Sequence, residues 1–220
     1  MRYSRMFLWM VVVWGALATA EAADFTVIPQ PDSLYISGTN LIQIGSIGDG
    51  TTLSSITDSS QTVTFSDTLT KGSVPGGGWS SWSSPPNTES STPPVLVTSV
   101  SVTSLTLNLL IPSTVFGFEL EPGNGSGYTI SVDFKQGSTV IGNISLPVDS
   151  SAGALLFAAK TILNPFTSLV ITAPAGAQGF AMAQFRYSTA TAVPEPSTYA
   201  LAAAAIGVFS LYGKRKRLGC

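Results

Sequence analysis

Gly127-Tyr128-Thr129-Ile130-Ser131-Val132-Asp133-Phe134-Lys135 is the stretch whose reading decides the fold. Tyr128, Ile130, Val132 and Phe134 fall on one side of an extended chain, and Thr129, Ser131, Asp133 and Lys135 on the other. Side chains alternate across a strand with a period of two, so this run has one buried face and one wet face. The pattern recurs on either side. Residues 101–110 bring Leu105, Leu107 and Leu109 together behind Val102. Residues 115–121 set Phe116, Phe118 and Leu120 against Val115, Gly117, Glu119 and Glu121. Shorter candidates are residues 25–28, 41–47, 61–66, 139–145, 154–159, 168–172 and 180–187. Pro112, the Glu121-Pro-Gly-Asn-Gly-Ser126 stretch, Pro147, Asn164-Pro165 and Pro174-Ala-Gly176 separate them as turns. About ten short strands at regular spacing predict an all-β fold, a single antiparallel β-sandwich of jelly-roll type. No segment between the termini has a helical period, although residues 152–159 read either way.

Residues 71–94, KGSVPGGGWSSWSSPPNTESSTPP, break the pattern. Gly, Ser and Pro dominate, so the segment is expected to form a long loop with no core of its own. Long loops in compact domains are often functional.

The ends of the chain have a different character. Arg2 and Arg5 precede an apolar run over residues 6–17, and Ala20-Glu21-Ala22 has the small-x-small form of a cleavage site. The run is shorter than the roughly 20 residues a spanning helix needs, so residues 1–22 read as a secretory signal cut after Ala22. Residues 23–191 then form one domain, and residues 192–220 a separate C-terminal segment with an apolar helix.

Composition excludes several kinds of chemistry in that domain. Residues 23–191 contain four basic residues (Lys71, Lys135, Lys160, Arg186) against ten acids, a net charge of −6. That is the wrong sign for nucleic-acid binding. The chain has no histidine, and its one cysteine is Cys220. Nucleophile–histidine catalysis and zinc sites of the His or Cys type are therefore ruled out. Gly76-Gly-Gly78 lacks the Lys-Ser/Thr of a phosphate loop. Asp49 and Asp58 flank a Gly/Ser/Thr-rich stretch without the DxDxDG run of a calcium loop. No cofactor and no metal site is expected.

Two residue pairs are left as functional candidates. Glu119 and Glu121 lie on one face of a strand, roughly 7 Å apart along the backbone. Such a pair suits acid–base cleavage of a glycosidic bond, or is simply the solvent face of a strand whose other face is Phe116, Phe118 and Leu120. Trp79 and Trp82 could stack on sugar rings, or could fold back as anchors that bury their large indoles on the edge of the sandwich. The domain is therefore expected to be non-catalytic, with a carbohydrate-binding module as the alternative and a glycoside hydrolase as the distant one.

At the C-terminus, Val193, Pro194, Glu195, Pro196 and Ser197 precede an apolar run over residues 199–212, followed by Lys214, Arg215, Lys216 and Arg217. Fourteen residues of helix span about 21 Å, short of a bilayer core. The basic cluster holds its end on the cytoplasmic side, and the prolines leave an extended segment just outside the membrane. This three-part layout resembles the PEP-CTERM sorting signal of Gram-negative bacteria, with Leu218-Gly219-Cys220 as a small departure beyond the basic run. The resemblance implies an exosortase partner, a membrane-anchored intermediate and processing near Pro194-Glu195-Pro196. It further implies delivery to the cell surface or extracellular matrix, often alongside exopolysaccharide. Trp79, Trp82, Pro85-Pro86, Glu89 and Phe116-Gly-Phe-Glu119 are similar to the domains of other surface proteins with such tails. That similarity implies a β-sandwich and no activity.

Overall fold

The computed structural model describes residues 24–189. The signal expected at 1–22 and the segment at 192–220, including residues 193–197 and 214–217, lie outside the described residues. The described strands are β1 (Thr26–Ile28), β2 (Asn40–Leu41), β3 (Thr52–Thr57), β4 (Thr62–Ser73), β5 (Pro94–Val97), β6 (Ser104–Pro122), β7 (Tyr128–Gln136), β8 (Thr139–Val148), β9 (Leu155–Lys160), β10 (Phe166–Thr172) and β11 (Phe180–Thr189). Every pairing between them is antiparallel. The chain is all-β, as its alternating pattern predicts.

The ladder is continuous yet makes two layers, because two long strands serve both. The first part of β6 pairs with β10 and, over Leu107 to Leu109, with β4. Its second part, from Val115, pairs with β9 and β11. β4 likewise passes from β6 to β5. Strands that cross between sheets make the corners of a sandwich. At the β6 corner Leu110 and Ile111 are exposed. One layer is thus β3-β4-β6-β10-β7-β8. The other is β4-β5-β11-β6-β9-β1, with β2 on the outer edge of β11.

The layers meet over one core. Leu105 and Leu107 of β6, Ile130, Val132 and Phe134 of β7 and Leu169 of β10 face Phe116 and Phe118 of β6, Phe157 of β9 and Met182 and Phe185 of β11. Phe65 and Phe185 meet across the layers with ring centroids 6.2 Å apart. The β7 face read from the sequence is the buried one, and a two-residue turn with Gly137 at φ 57° closes the β7–β8 hairpin.

The structure departs from the sequence reading in five places. Pro112 and Pro147, read as turns, lie inside β6 and β8; β8 is an edge strand and Pro112 sits at the exposed corner of β6, where a missing N–H is tolerated. Ser33–Ser37 forms a one-turn helix, α1, whose N-cap Asp32 accepts from the Tyr35 N–H at 2.8 Å. Five residues are too few to show a period. Residues 41–47 pair only at Asn40–Leu41; beyond it Ile42 and Ile44 are buried from irregular backbone. β3 and β5 were not anticipated. β3 lacks clean alternation, because Leu53 and Ile56 lie three apart across a register shift, and β5 is a short apolar run beginning at a proline. Finally, residues 71–94 are not a free loop. β4 runs on to Ser73, β5 begins at Pro94, and Val74, Trp79 and Trp82 pack with Val95, Ala181 and Ala183 as a second small core.

Candidate functional site

The site begins with the outer face of the second half of β6. Gly117, Glu119 and Glu121 point away from the main core, and the simpler of the two sequence readings placed these acids in solvent. They are not: Glu119 is 0% exposed and Glu121 1%. The correction has a clear physical cause. On the β11 side their cross-strand neighbours are small, with Ala183 opposite Glu119 and Ala181 opposite Glu121, while on the β9 side Ala158 stands opposite Gly117 and Leu156 walls off Glu119. This leaves a trough along the outer face, and residues 74–93 fill it.

Buried carboxyls need donors, and the covering segment supplies them. Trp82 Nε1 donates to Glu119 Oε2 at 2.8 Å, and the Glu89 backbone N–H donates to Glu119 Oε1 at 2.6 Å. Ser81 Oγ donates to Glu121 Oε1 at 2.7 Å and also lies 3.2 Å from the Ser150 carbonyl. Glu121 Oε2 is buried without a hydrogen-bond partner. The segment is fixed further by Ser83 Oγ, which donates to the Ala152 carbonyl at 3.2 Å.

A backbone irregularity completes the cluster. The β6–β11 register shifts between Ala183 and Arg186, and Gln184 takes φ 52°. Such a bulge changes which face the following residues occupy. Ala183 faces outward, Phe185 inward, and Arg186 outward again. Arg186 Nε then donates to Glu89 Oε1 at 2.7 Å, and Nη1 to the carbonyls of Ile36 and Thr39 at 3.2 and 3.3 Å. The guanidinium thereby clips α1 and the covering segment to the same sheet.

Burial dominates the electrostatics. It pushes Glu119 up to about 7, with the nearby Glu89 charge adding to the rise, while Trp82, the Glu89 N–H and Arg186 oppose it. Burial likewise raises Glu121 to about 7, opposed by the Ser81 hydroxyl and the adjacent Trp79 indole. Burial and the Glu89 carboxylate hold the Tyr35 phenol well above its usual range.

Next to the cluster lies a cleft of about 660 Å³. Trp79, Ser80, Ser81, Glu121, Asn124 and Ser150 line it. Trp79 is half-buried, with part of its indole in the small core. Trp82 does not line the cleft; its ring is a strut between that core and Glu119. Glu119 does not reach the cleft either, so the two acids share a strand face but not a cavity. Asp49 pairs with Lys71 and Ser73, while Asp58 accepts from the Tyr187 hydroxyl and two backbone N–H groups. Among the described residues no three His, Cys, Asp or Glu side chains converge as a metal set. Burial of Glu119 was not legible in the sequence. Its one trace is the coincidence of Gly117, Ala158, Ala181 and Ala183, which only the pairing brings together.

Comparison with known proteins gives two kinds of match. Among solved structures, the enzymatically active domain of tailspike protein 4 of bacteriophage CBA120 is similar at 15% identity and TM-score 0.31, over 60% of this chain and 20% of that one. The chain thus spans about a fifth of the phage protein. CBM29_1, a family 29 carbohydrate-binding module from Piromyces equi, is similar at 14% identity and TM-score 0.30, over 59% of this chain and 93% of that one. The C-terminal CBM6 of LamC, a marine laminarinase from Zobellia galactanivorans, is similar at 12% identity and TM-score 0.29, over 69% and 99%. Overlap at this level transfers neither site nor ligand. No curated protein matches the chain. A family model does, over residues 192–217, and it spans both the proline motif and the basic cluster read from the sequence. The chain therefore carries a PEP-CTERM protein-sorting motif at its C-terminus, which implies an exported, surface-associated protein processed by an exosortase.

Proposed function

We propose that the mature protein is a non-catalytic component of the cell surface or extracellular matrix of a Gram-negative bacterium. It would be released from an inner-membrane-anchored intermediate when an exosortase processes the tail. The observation that carries this reading is the sorting motif at 192–217, which begins just after β11 ends at Thr189. The non-catalytic part is supported by the separate surroundings of the two acids. Acid–base cleavage needs both carboxyls on one substrate, and only Glu121 lines the cleft. Mass spectrometry of the protein from native cells tests the proposal. The expected C-terminus lies at or near Pro194-Glu195-Pro196. Surface protein that retains residues 214–220 would overturn it.

A second reading is favoured by the cleft itself. A partly free indole beside Ser80, Ser81 and Asn124 suits a sugar ring, whose faces are apolar and whose edge carries hydroxyls. On this reading the domain holds exopolysaccharide. A polysaccharide pull-down is expected to retain the wild-type protein and to lose the Trp79→Ala variant. Equal retention of the two would remove the reading.

A further inference from the structure

The charges around the cleft bear on which sugars it accepts. Glu121 is the one ionisable side chain among its lining residues, and no Lys or Arg lines it. Asp149, next to the lining Ser150, is held below the usual carboxylate range: it accepts from the Ser151 hydroxyl and the Ser151 backbone N–H, which outweigh the small opposing effect of its burial. Two of the domain's cations are already paired: Lys71 with Asp49, which packs against Gly77 between the lining residues Gly76 and Gly78, and Arg186 with Glu89 beneath the cover. An anionic ligand would therefore meet the Glu121 carboxyl, with Asp149 just beyond the lining residue Ser150, and no Lys or Arg among the lining residues to pair with.

The floor also holds an unsatisfied acceptor. Ser81 is both a lining residue and the group that ties down Glu121 Oε1, so the carboxyl sits directly behind the cleft wall. Its Oε2 is buried and unpartnered. A buried acceptor without a partner is an unfavourable state that an incoming O–H relieves. Ser80 and Asn124 at the rim are exposed and can both donate and accept.

We propose that the cleft binds an uncharged, hydroxyl-rich glycan and discriminates against uronate or sulfated glycans. Trp79 supplies the stacking face and Glu121 the acceptor for a sugar hydroxyl. The proposal rests on the glycan-binding reading above and adds the class of sugar. Discrimination comes from leaving a second anion unpaired beside Glu121 and Asp149, which costs more than a lost attraction.

The test is a binding titration of the full chain in detergent against three probe sets: neutral oligoglucans and oligomannans, oligouronates such as alginate fragments, and sulfated oligosaccharides. At least one neutral probe is expected to bind about tenfold or more tightly than either acidic set. Trp79→Ala should lose that binding and Trp79→Phe should keep most of it. Because Trp79→Ala also removes packing, exposed Ser80 gives an independent variant. Ser80→Lys adds the missing cation and should raise oligouronate affinity without altering the thermal unfolding. Wild-type protein that binds oligouronates or sulfated probes as well as neutral ones overturns the proposal but leaves the glycan reading standing. No binding to any set, or binding that neither Trp79→Ala nor Ser80→Lys alters, removes the glycan reading with it.

Discussion

A carboxyl at position 121 gives up nearly all of its hydration for the Ser81 hydroxyl and the neighbouring Trp79 indole, while that at 119 receives an indole and an amide. Both titrate near 7 in the fold, against 4.5 for an ordinary glutamate. Between those values the folded chain binds more protons than the unfolded one. Stability is therefore fullest below about pH 4.5 as far as these groups are concerned, falls as pH rises towards 7, and levels off above it. One pKa unit corresponds to about 1.4 kcal/mol, so Glu119 removes up to about 3 kcal/mol between pH 4.5 and pH 8, and Glu121, nearer the cleft and its solvent, removes less. Urea unfolding at pH 5 and pH 8 should show the lower midpoint at pH 8. Glu121→Gln keeps an acceptor for Ser81 and removes the charge, so it should stand above wild type at pH 8 and close to it at pH 5. A wild-type midpoint that rises from pH 5 to pH 8 would contradict the burial of this pair. Gly117, two residues before Glu119, has no room for a side chain. A Cβ there would meet the Ala158 Cβ and lie 2.6 Å from the Tyr35 hydroxyl. Gly117→Ala is expected to destabilise by about 1–3 kcal/mol, as overpacking does, and thermal unfolding measures it.

At the scale of elements, residues 74–93 behave as a cover held by polar ties more than by packing. The apolar part of the contact is small: Val74, Trp79 and Trp82 on Val95, Val97, Ala181 and Ala183. Trp82→Phe preserves an aromatic ring in that cluster and removes the donor to Glu119 Oε2. A buried acceptor left alone costs about 1–3 kcal/mol. Limited proteolysis should cut the variant within 74–93 faster than wild type, and the difference should widen from pH 5 to pH 8 as Glu119 ionises. A second tie acts at the other end of the sandwich. Asp24 accepts from the backbone N–H groups of Ile162 and Leu163, from Thr161 and from Asn164, all between 2.7 and 2.8 Å. Asp24→Ala removes four charge-assisted bonds at a partly exposed site and should lower stability by about 1–3 kcal/mol in the same unfolding assay. These elements also show what the sequence could and could not reveal. β7 and the first part of β6 were legible because each has one wet face, and period-two alternation reports that condition. The second part of β6 alternates just as cleanly, yet both faces are buried, from Phe116 to Pro122. Its polar face meets a cover rather than water, and alternation cannot tell one from the other. The cover was read as loop from its Gly, Ser and Pro content. That reading was sound for the backbone, but blind to the carboxyls it would have to satisfy. Trp79 was visible as a candidate from sequence; its partner in the cleft, Asn124, comes from a turn about 45 residues away and had no local signal.

For the whole molecule, the course of β6 relates the chain ends to the cleft. Thr189, the last residue of β11, pairs with Ser113, and Thr161 of the Asp24-bound turn donates its N–H to the Thr114 carbonyl. Both ends of the described chain therefore leave at the corner of β6. At the other end of the same β6–β11 ladder Phe180 pairs with Pro122, beside Glu121 and Asn124 in the cleft. Nine residues of strand separate the two, about 30 Å at the usual rise. A chain tethered by residues beyond Thr189 would thus hold its tether and its cleft at opposite ends of the sandwich, and removal of the tether would disturb neither the cluster nor the core. The ties that secure the ends, Asp24 to its turn and Thr189 to Ser113, lie inside residues 23–191, and that segment contains no cysteine. Thermal unfolding of residues 23–191 alone should coincide with that of the tail-bearing chain in detergent, and reductant should leave both unchanged. For a domain of this size about 1 kcal/mol corresponds to roughly 2–4 °C, so a shift of that size on removing 192–220 would mean the tail packs against the domain. Coincident curves would fit a tail that serves for sorting and can be cut away without consequence for the fold.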